Sequence, residues 1–189
     1  MGRAVLETTY RPEAWRDLYV MIGTSAGALV GLLFIVMSLH FDKISERSDD
    51  NMRLTIEGGR NNTYHLLTVM IEAALVLTPQ PINFLGAELI AINLFGLRLP
   101  LTIIYRYVNK PITISERGGF PTALIATIIV AYLVGAVGGV VLVERLAWGL
   151  YLVTAACIVK LVRSVLTAWM LMFGMFHAQT AKGEAAGGD

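Results

Sequence analysis

The sequence predicts an all-α fold, a polytopic transmembrane helical bundle with about five spans. Hydrophobic residues make up 56% of the 189 residues and charged residues only 15%. The mean hydropathy of +0.64 is too high for an ordinary water-soluble domain. An apolar run of about 20 residues is long enough to cross a hydrocarbon core of roughly 30 Å. Such runs occupy most of the chain, so we expect one transmembrane domain over residues 1–189.

Five apolar runs, separated by polar segments or short turns, define the expected spans. The prolines of segment 79–81 cannot continue a helix, so the third span should return antiparallel beside the second. The polar segment 41–62 is expected to be solvated, with a short helix that ends at Gly58 and Gly59. The fifth run is longer than one perpendicular crossing needs and must tilt, bend or extend beyond the bilayer. The spans lie at approximately 15–40, 63–78, 82–105, 121–143 and 147–176.

The distribution of basic residues predicts the orientation, because Lys and Arg are retained on the cytoplasmic side of a membrane. With five spans, four basic residues fall on the side of the N-terminus and eight on the side of the C-terminus. We therefore expect a multi-pass cell-membrane protein with its N-terminus outside and its C-terminus in the cytoplasm. The four are Arg3, Arg11, Arg16 and Arg145, and the eight are Lys43, Arg47, Arg53, Arg60, Arg106, Lys110, Arg117 and Lys182.

The composition disfavours several classes of function. A net charge of +1 gives no field that would attract nucleic acid. The single cysteine, Cys157, cannot form an internal disulfide or a multi-cysteine metal cage. No HExxH, GxSxG, Walker A or CxxC pattern occurs, so we expect no enzyme activity, metal or cofactor. His40 and His65, with Asp42 nearby, are conceivable metal ligands, but their spacing matches no recognised metal motif.

Two strips of small residues are expected to allow close helix packing. Gly23, Gly27 and Gly31 repeat at four-residue spacing in the first span. Gly135 and Gly139 have the same spacing in the fourth span. Residues four apart lie on one helix face, where small side chains let two backbones approach closely. The strips would pack either within one subunit or between subunits, and both interpretations are structural rather than catalytic.

Glu72 and Glu88 are the most informative acidic residues. Each lies seven residues from a proline of the turn between spans two and three. At 1.5 Å per residue, both are then roughly 10 Å below the outer surface. A carboxylate in hydrocarbon is costly unless it is paired or hydrated. Neighbouring carboxyl groups would share a proton or bind a cation. The alternative is two protonated carboxyl groups that hydrogen-bond within the bundle or face different ways.

Basic residues mark the inner half of the expected bundle. Arg98 in span three and Lys160 and Arg163 in span five lie roughly 20 to 25 Å below the outer surface by helix rise. Their long side chains either reach the cytoplasmic interface or belong to a polar stripe that faces protein or water. Asn93 lies midway between Glu88 and Arg98. We expect it to bridge the acidic and basic zones or to form an interhelical hydrogen bond.

The first span and its exit, residues 24–40, read TSAGALVGLLFIVMSLH. This segment resembles the opening of small, uncharacterised bacterial polytopic membrane proteins with a Gly/Ala-rich first helix. The resemblance covers about the first quarter of the chain and rests on small and aliphatic residues. It implies a bacterial cytoplasmic membrane and carries no catalytic residues over to this sequence.

Two functional hypotheses follow from these features. In the first, the protein is an oligomeric channel or transporter for protons or small ions, with Glu72 and Glu88 near the outer entrance. Arg98, Lys160 and Arg163 would shape the electrostatic potential of the inner half. In the second, the protein is a non-transporting scaffold or regulatory subunit whose Gly-rich faces pack against a larger membrane partner. Both hypotheses expect the lipid bilayer as the surroundings and a homo-oligomer or another membrane protein as the assembly.

Overall fold

The computed structural model describes residues 12–39, 50–109 and 122–186, and this part of the chain contains helices and no strands. Four of its five helices are long and apolar enough to cross a membrane, which confirms the predicted all-α transmembrane bundle. The helices are α1 (Pro12–Leu39), α2 (Asp50–Leu77), α3 (Ile82–Asn109), α4 (Thr122–Val143) and α5 (Gly149–Ala186). The four apolar stretches are Glu13–Ser38, Ile82–Thr102, Ile125–Val143 and Gly149–Met170.

Sequential helices pack antiparallel, as contacts between α1 and α2 illustrate. A Cβ atom added to Gly23 near the start of α1 would lie 3.3 Å from the Cβ atom of Ala73 near the end of α2. A Cβ atom added to Gly59 would lie 3.4 Å from the sulfur of Met37, near the end of α1. The two helices therefore run in opposite directions over the same length. Their loop, residues 40–49, and with it His40, lies outside the described residues.

Helices α1 and α5 run parallel on one side of the bundle. The ring of Trp15 meets that of Tyr151 edge-on at a centroid distance of 4.8 Å. One turn further along both helices, the hydroxyl groups of Tyr19 and Thr154 are 2.9 Å apart. Later residues of α1 thus contact later residues of α5, so the two helices point the same way. This is expected when five helices alternate in direction along the chain.

Helix α2 departs most from the sequence expectation. It begins at Asp50 rather than near residue 63, and Gly58 and Gly59 lie inside it rather than ending a helix. Gly59 is buried near Met37 of α1, so tertiary packing overrides the low helix propensity of glycine. Helix α2 is not one of the four apolar stretches. Because it runs antiparallel beside α1, it nevertheless crosses the same depth of the bundle.

The turn between α4 and α5 has a recognisable helix-ending geometry. The amide of Leu146 donates to the carbonyl of Val141 at 3.1 Å, and that of Arg145 donates to Leu142 at 2.9 Å. This pair of bonds is the Schellman pattern, which places the intervening residue in the left-handed region. Arg145 occupies that position with φ of 62°. A side chain with a Cβ atom is strained there, where glycine would be relaxed.

Apolar side chains cover the outside of the bundle, and polar side chains lie inside it. Only 17% to 50% of the residues in the four apolar stretches are buried. Large apolar side chains are exposed on every helix, among them Phe34, Ile71, Phe84, Val137 and Ile158. The buried polar side chains are Asn62, His65, Thr68, Glu72, Asn93, Thr154, Lys160, Arg163, Ser164 and Thr167. This arrangement suits a protein surrounded by lipid, because polar groups then pair with one another inside the bundle and apolar groups face the lipid chains.

The glycine strip of α4 packs within the chain. A Cβ atom added to Gly139 would lie 2.8 Å from the backbone oxygen of Gly86 on α3, and one added to Gly86 would lie 2.6 Å from the oxygen of Gly139. The space beside Gly135 is occupied by the side-chain amide group of Asn93. Backbone contact of this kind is open only to residues without side chains. Gly86, which fits against Gly139, was not singled out in the sequence.

The glycine strip of α1 packs progressively less toward its C-terminal end. Gly23 lies against Ala73 of α2, and a Cβ atom added to Gly27 would have only the flexible end of Met70 at 3.8 Å. A Cβ atom added to Gly31 would meet nothing within 4 Å. The strip is therefore an intrachain contact at Gly23 and an exposed surface at Gly31.

Candidate functional site

A buried ion pair joins α2 to α5 in the centre of the bundle. The ammonium of Lys160 lies 2.6 Å from one carboxylate oxygen of Glu72, and the side chains are 0% and 1% exposed. The same ammonium donates to the amide oxygen of Asn93 on α3 at 2.8 Å. The thiol of Cys157 donates to the second carboxylate oxygen of Glu72 at 3.1 Å. Three helices thus supply hydrogen bonds to two opposite charges that are removed from solvent.

Helix direction explains why these residues meet. Helix α2 ends on the side of the bundle where α5 begins, with Glu72 five residues before the end of α2 and Lys160 eleven residues after the start of α5. At 1.5 Å per residue, their Cα atoms differ in depth by roughly 9 Å. Helical side chains lean toward the N-terminus of their own helix. The carboxylate of Glu72 therefore leans toward the start of α2, and the long side chain of Lys160 leans toward the start of α5. Because the two helices are antiparallel, these opposite leans bring the charged ends to the same level.

Glu88 and Arg98 do not join this cluster. Glu88 is exposed, and its carboxylate accepts a hydrogen bond from Gln80 in the turn between α2 and α3 at 2.8 Å. Arg98 is exposed, and its guanidinium lies 5.5 Å from the centroid of the Phe95 ring. The partner of Glu72 is thus Lys160 rather than Glu88. The ammonium of Lys160 lies at the same depth as the carboxylate of Glu72, so Lys160 is not part of a separate basic zone.

Tyr132 of α4 contacts both Lys160 of the ion pair and two further polar residues of α2, His65 and Thr68. The ammonium of Lys160 lies 4.3 Å from the centroid of the Tyr132 ring, a cation–π contact. The Tyr132 hydroxyl is 2.8 Å from Nδ1 of His65 and 3.1 Å from the hydroxyl of Thr68. The ring fits over Gly96 of α3, where a Cβ atom would collide with it. Sequence reasoning missed Tyr132, although a tyrosine in the middle of a span signals a hydrogen-bond partner inside the bundle.

Beyond Tyr132, the polar core continues toward the opposite end of α5. The amide nitrogen of Asn62 donates to the backbone oxygen of Ser164 at 3.0 Å. Arg163 is 4% exposed and donates to the hydroxyl of Thr167 at 3.4 Å. Among the described residues, four buried side-chain atoms have no hydrogen-bond partner, namely Nε2 of His65, Oδ1 of Asn61, Oδ1 of Asn62 and Oγ of Ser164. Buried polar atoms are normally satisfied by protein or water, so this end of the core has spare hydrogen-bonding capacity.

Two helix faces form this polar core. On α5, Cys157, Lys160, Ser164 and Thr167 follow three- and four-residue spacing, and all four are buried. On α2, the matching set is Asn62, His65, Thr68 and Glu72. Residues at this spacing lie on one face of a helix. The α5 stripe was visible in the sequence, whereas the α2 stripe was divided between an expected loop and an expected span.

An apolar layer closes the core on the side where α2 ends. One turn beyond Glu72 lies Val76, which is 2% exposed, and two turns before Lys160 lies Val153, which is 0% exposed. Leu85, Leu89, Leu142 and Leu150 belong to the same buried cluster. On this side, the ion pair is therefore covered by mainly apolar buried side chains, with the paired hydroxyls of Tyr19 and Thr154 among them.

Among the described residues, no three His, Cys, Asp or Glu side chains come close enough to hold a metal ion. His65 is engaged by Tyr132. The histidine and aspartate of the conceivable metal site, His40 and Asp42, fall outside the described part of the chain.

Four apolar helices, a lipid-compatible exterior and a buried polar core define an integral, multi-pass membrane protein of the helical class. Comparison with protein-family models, curated proteins and solved structures gives no significant match to this chain. The side chains of the polar core are therefore the features of this chain that bear on its function.

Proposed function

We propose that this protein transports protons across the membrane and that Glu72 and Lys160 form the proton-exchanging centre. The supporting observation is the complete burial of their hydrogen-bonded ion pair inside a transmembrane bundle. A buried ion pair contributes little net stability compared with apolar side chains of the same volume. Ionisable residues at this depth characteristically mark proton and ion pathways.

The pair supports a simple exchange cycle in which protons and charges balance. A proton that reaches the carboxylate of Glu72 from the side where α2 ends removes the counter-charge of Lys160. The ammonium then releases a proton toward the opposite side. Transfer of the proton from Glu72 to the neutral amine regenerates the ion pair, so one proton crosses in each cycle. The apolar layer beyond Val76 must open for the first step, which makes this conformation the closed one.

His65 is the next proton carrier on the other side of the pair. Its Nδ1 atom is held by Tyr132, while its Nε2 atom is buried and has no partner. An imidazole with one fixed and one open nitrogen is suited to pass a proton to water. Lys160 contacts the ring of Tyr132, whereas His65 is bonded to the hydroxyl of that tyrosine. The lysine side chain must therefore reorient, or water must bridge the gap, for a proton to pass.

Protons fit this core better than metal cations do. The ammonium of Lys160 occupies the centre of the bundle and is already bonded to Glu72 and Asn93. A cation moving through the core would meet this positive charge at close range, where repulsion is strong because the surroundings are of low polarity. A relayed proton needs only hydrogen-bonded side chains.

Orientation and assembly complete the proposal. The excess of basic residues on the C-terminal side supports an outside N-terminus, a cytoplasmic C-terminus and a bacterial cytoplasmic membrane. In that orientation, the apolar layer near Val76 faces outward and His65 faces the cytoplasm. The exposed small residues of α1, Thr24, Ala28 and Gly31, offer a contact for a second copy.

The same exposed strip supports the second candidate function, a non-transporting scaffold. Thr24 bonds only to backbone oxygens of its own helix, and Gly31 is open. A partner helix could approach this face closely. In that case, the Glu72–Lys160 pair fixes the rotation of α2 against α5 and carries no flux.

Purified protein in liposomes distinguishes the two functions. A pH-sensitive dye inside the vesicles reports proton entry after an external acid pulse, with valinomycin and K⁺ dissipating the membrane potential. Under the transport proposal, vesicles with protein acidify faster than protein-free vesicles, and adding Na⁺ to both sides at constant K⁺ leaves the proton rate unchanged. Equal rates with and without folded protein, at potentials of both signs, would favour the scaffold.

A further inference from the structure

A groove on the outer surface of α1 and α2 has properties that the proton pathway does not use. Its volume is about 290 Å³, and it is lined by Phe34, Arg60, Thr63, Tyr64 and Leu67. The four α2 residues lie on a face that differs from the buried stripe of Asn62, His65, Thr68 and Glu72, so the groove faces away from the polar core. In a membrane, a surface of this kind is in contact with lipid.

One end of the groove is polar and carries a positive charge. Arg60 is exposed, and it lines the groove. Tyr64, one turn along, is 44% exposed, so its hydroxyl is accessible. The hydroxyl of Thr63 donates to the backbone oxygen of Gly59 at 3.0 Å, which leaves its oxygen free to accept a hydrogen bond.

The other end of the groove is apolar. It is formed by Leu67, which is 39% exposed, whereas Phe34 of α1, which is 62% exposed, flanks the groove beside its polar residues. The polar end lies at a membrane boundary, because Arg60 is seventeen residues from the end of α2, roughly 25 Å at 1.5 Å per residue in a core of roughly 30 Å. Leu67 is two turns deeper. The change from charged to apolar along the groove therefore runs from the interface into the hydrocarbon.

We propose that this groove binds one anionic phospholipid of the adjacent leaflet. The guanidinium of Arg60 and the hydroxyl of Tyr64 would donate to its phosphate and headgroup oxygens, and an acyl chain would lie over Phe34 and Leu67. A planar guanidinium matches phosphate oxygens in geometry and charge. An anionic headgroup is favoured over a zwitterionic one because the five residues that line the groove include one cation and no carboxylate. This site is independent of proton transport.

Lipid retention on the purified full chain tests this proposal. The protein is transferred to mild detergent with equal amounts of phosphatidylglycerol and phosphatidylcholine of identical acyl chains, and bound lipid is counted by native mass spectrometry. We expect preferential retention of one phosphatidylglycerol. Arg60→Gln should lower the phosphatidylglycerol-to-phosphatidylcholine ratio about fivefold, the value for one interfacial basic residue. Arg98→Gln is the matched control, since Arg98 is also exposed and lies beside Phe95 on α3 but does not line the groove, and it should lower the ratio less than Arg60→Gln does.

Further arms of the experiment separate the competing occupants. Tyr64→Phe should weaken retention without the loss of a charge and serves as the second variant if Arg60→Gln fails to fold. Inorganic phosphate should not displace the bound phosphatidylglycerol, because the acyl contacts are absent. Equal retention of both lipids by the parent, full displacement by phosphate, or a change of oligomer size as the main effect of Arg60→Gln would each overturn the proposal.

Discussion

The ammonium of Lys160 and the carboxylate of Glu72 are 2.6 Å apart, although the two residues are 88 positions apart in the sequence. Both groups are removed from solvent, and each has a further hydrogen bond, from Lys160 to Asn93 and from Cys157 to Glu72. Two charges so placed compensate one another only as long as both are present. The ion pair has consequences for the stability of the protein as well as for the proposed proton transfer.

Removal of one charge of the pair should destabilise the protein far more than removal of both. Lys160→Met leaves the Glu72 carboxylate buried without its counter-charge, and we expect a loss of about 3–5 kcal/mol. The double variant Glu72→Leu/Lys160→Met fills a similar volume with apolar groups and should recover most of that loss. Reversible unfolding in mixed detergent micelles measures both. A double variant no more stable than Lys160→Met would contradict this interpretation of the pair.

The hydrogen bond between the Tyr132 hydroxyl and His65 can be separated from the contact of the Tyr132 ring with Lys160. Tyr132→Phe keeps the ring face but leaves Nδ1 of His65 without its partner at 2.8 Å. We expect the free energy of unfolding to fall by about 1–3 kcal/mol. Tyr151→Phe is the control, because Tyr151 is 68% exposed, and it should change little. Equal effects of the two substitutions would show that the buried hydroxyl is not engaged.

Close packing of α3 on α4 should be sensitive to a single methyl group. Gly139→Ala puts a Cβ atom 2.8 Å from the backbone oxygen of Gly86, so the helices must separate, at a cost of about 1–3 kcal/mol. Gly31→Ala is the matched control on α1, where nothing lies within 4 Å. Thermal unfolding in detergent should show a lower midpoint for Gly139→Ala alone. A lower midpoint for Gly31→Ala, together with loss of an oligomer, would instead assign Gly31 to a contact between subunits.

The strained end of α4 offers a stabilising substitution. Arg145 has φ of 62°, a conformation that costs a residue with a Cβ atom roughly 1–2 kcal/mol and glycine little. Arg145→Gly should therefore raise the unfolding midpoint, whereas Glu144→Gly, at the preceding position, should not. A lower midpoint for Arg145→Gly would mean that the arginine side chain has a stabilising contact larger than the strain.

The sequence predicted the helices well because their apolar runs are long. It predicted α2 least well, since the inward-facing Asn62 and His65 lower its hydropathy, and Gly58 and Gly59 resemble a helix end. Only the packing of α2 against α1 and α5 reveals that those side chains face protein. A hydropathy pattern records polarity along the chain, not the direction that each residue faces.

The candidate site was predicted in part. The sequence singled out three charged residues and one amide that are all buried in the structure, namely Glu72, Lys160, Arg163 and Asn93. Their pairing could not be predicted from depth, because counting residues ignores the opposite lean of side chains on antiparallel helices. Glu88 lies at the depth expected from the same count but is exposed. Helix rotation, which depends on packing against all neighbours, separates the two glutamates.

Proton flux in liposomes that contain Glu72→Gln or Glu88→Gln tests the central claim most directly. Both substitutions remove one titratable carboxyl and keep its shape, yet Glu72 is bonded to Lys160 in the core while Glu88 is exposed and bonded to Gln80. The proposal predicts that Glu72→Gln reduces flux to the rate of protein-free vesicles and that Glu88→Gln retains the parental rate. Parental flux in folded Glu72→Gln protein would contradict the assignment of the Glu72–Lys160 pair as the proton-exchanging centre.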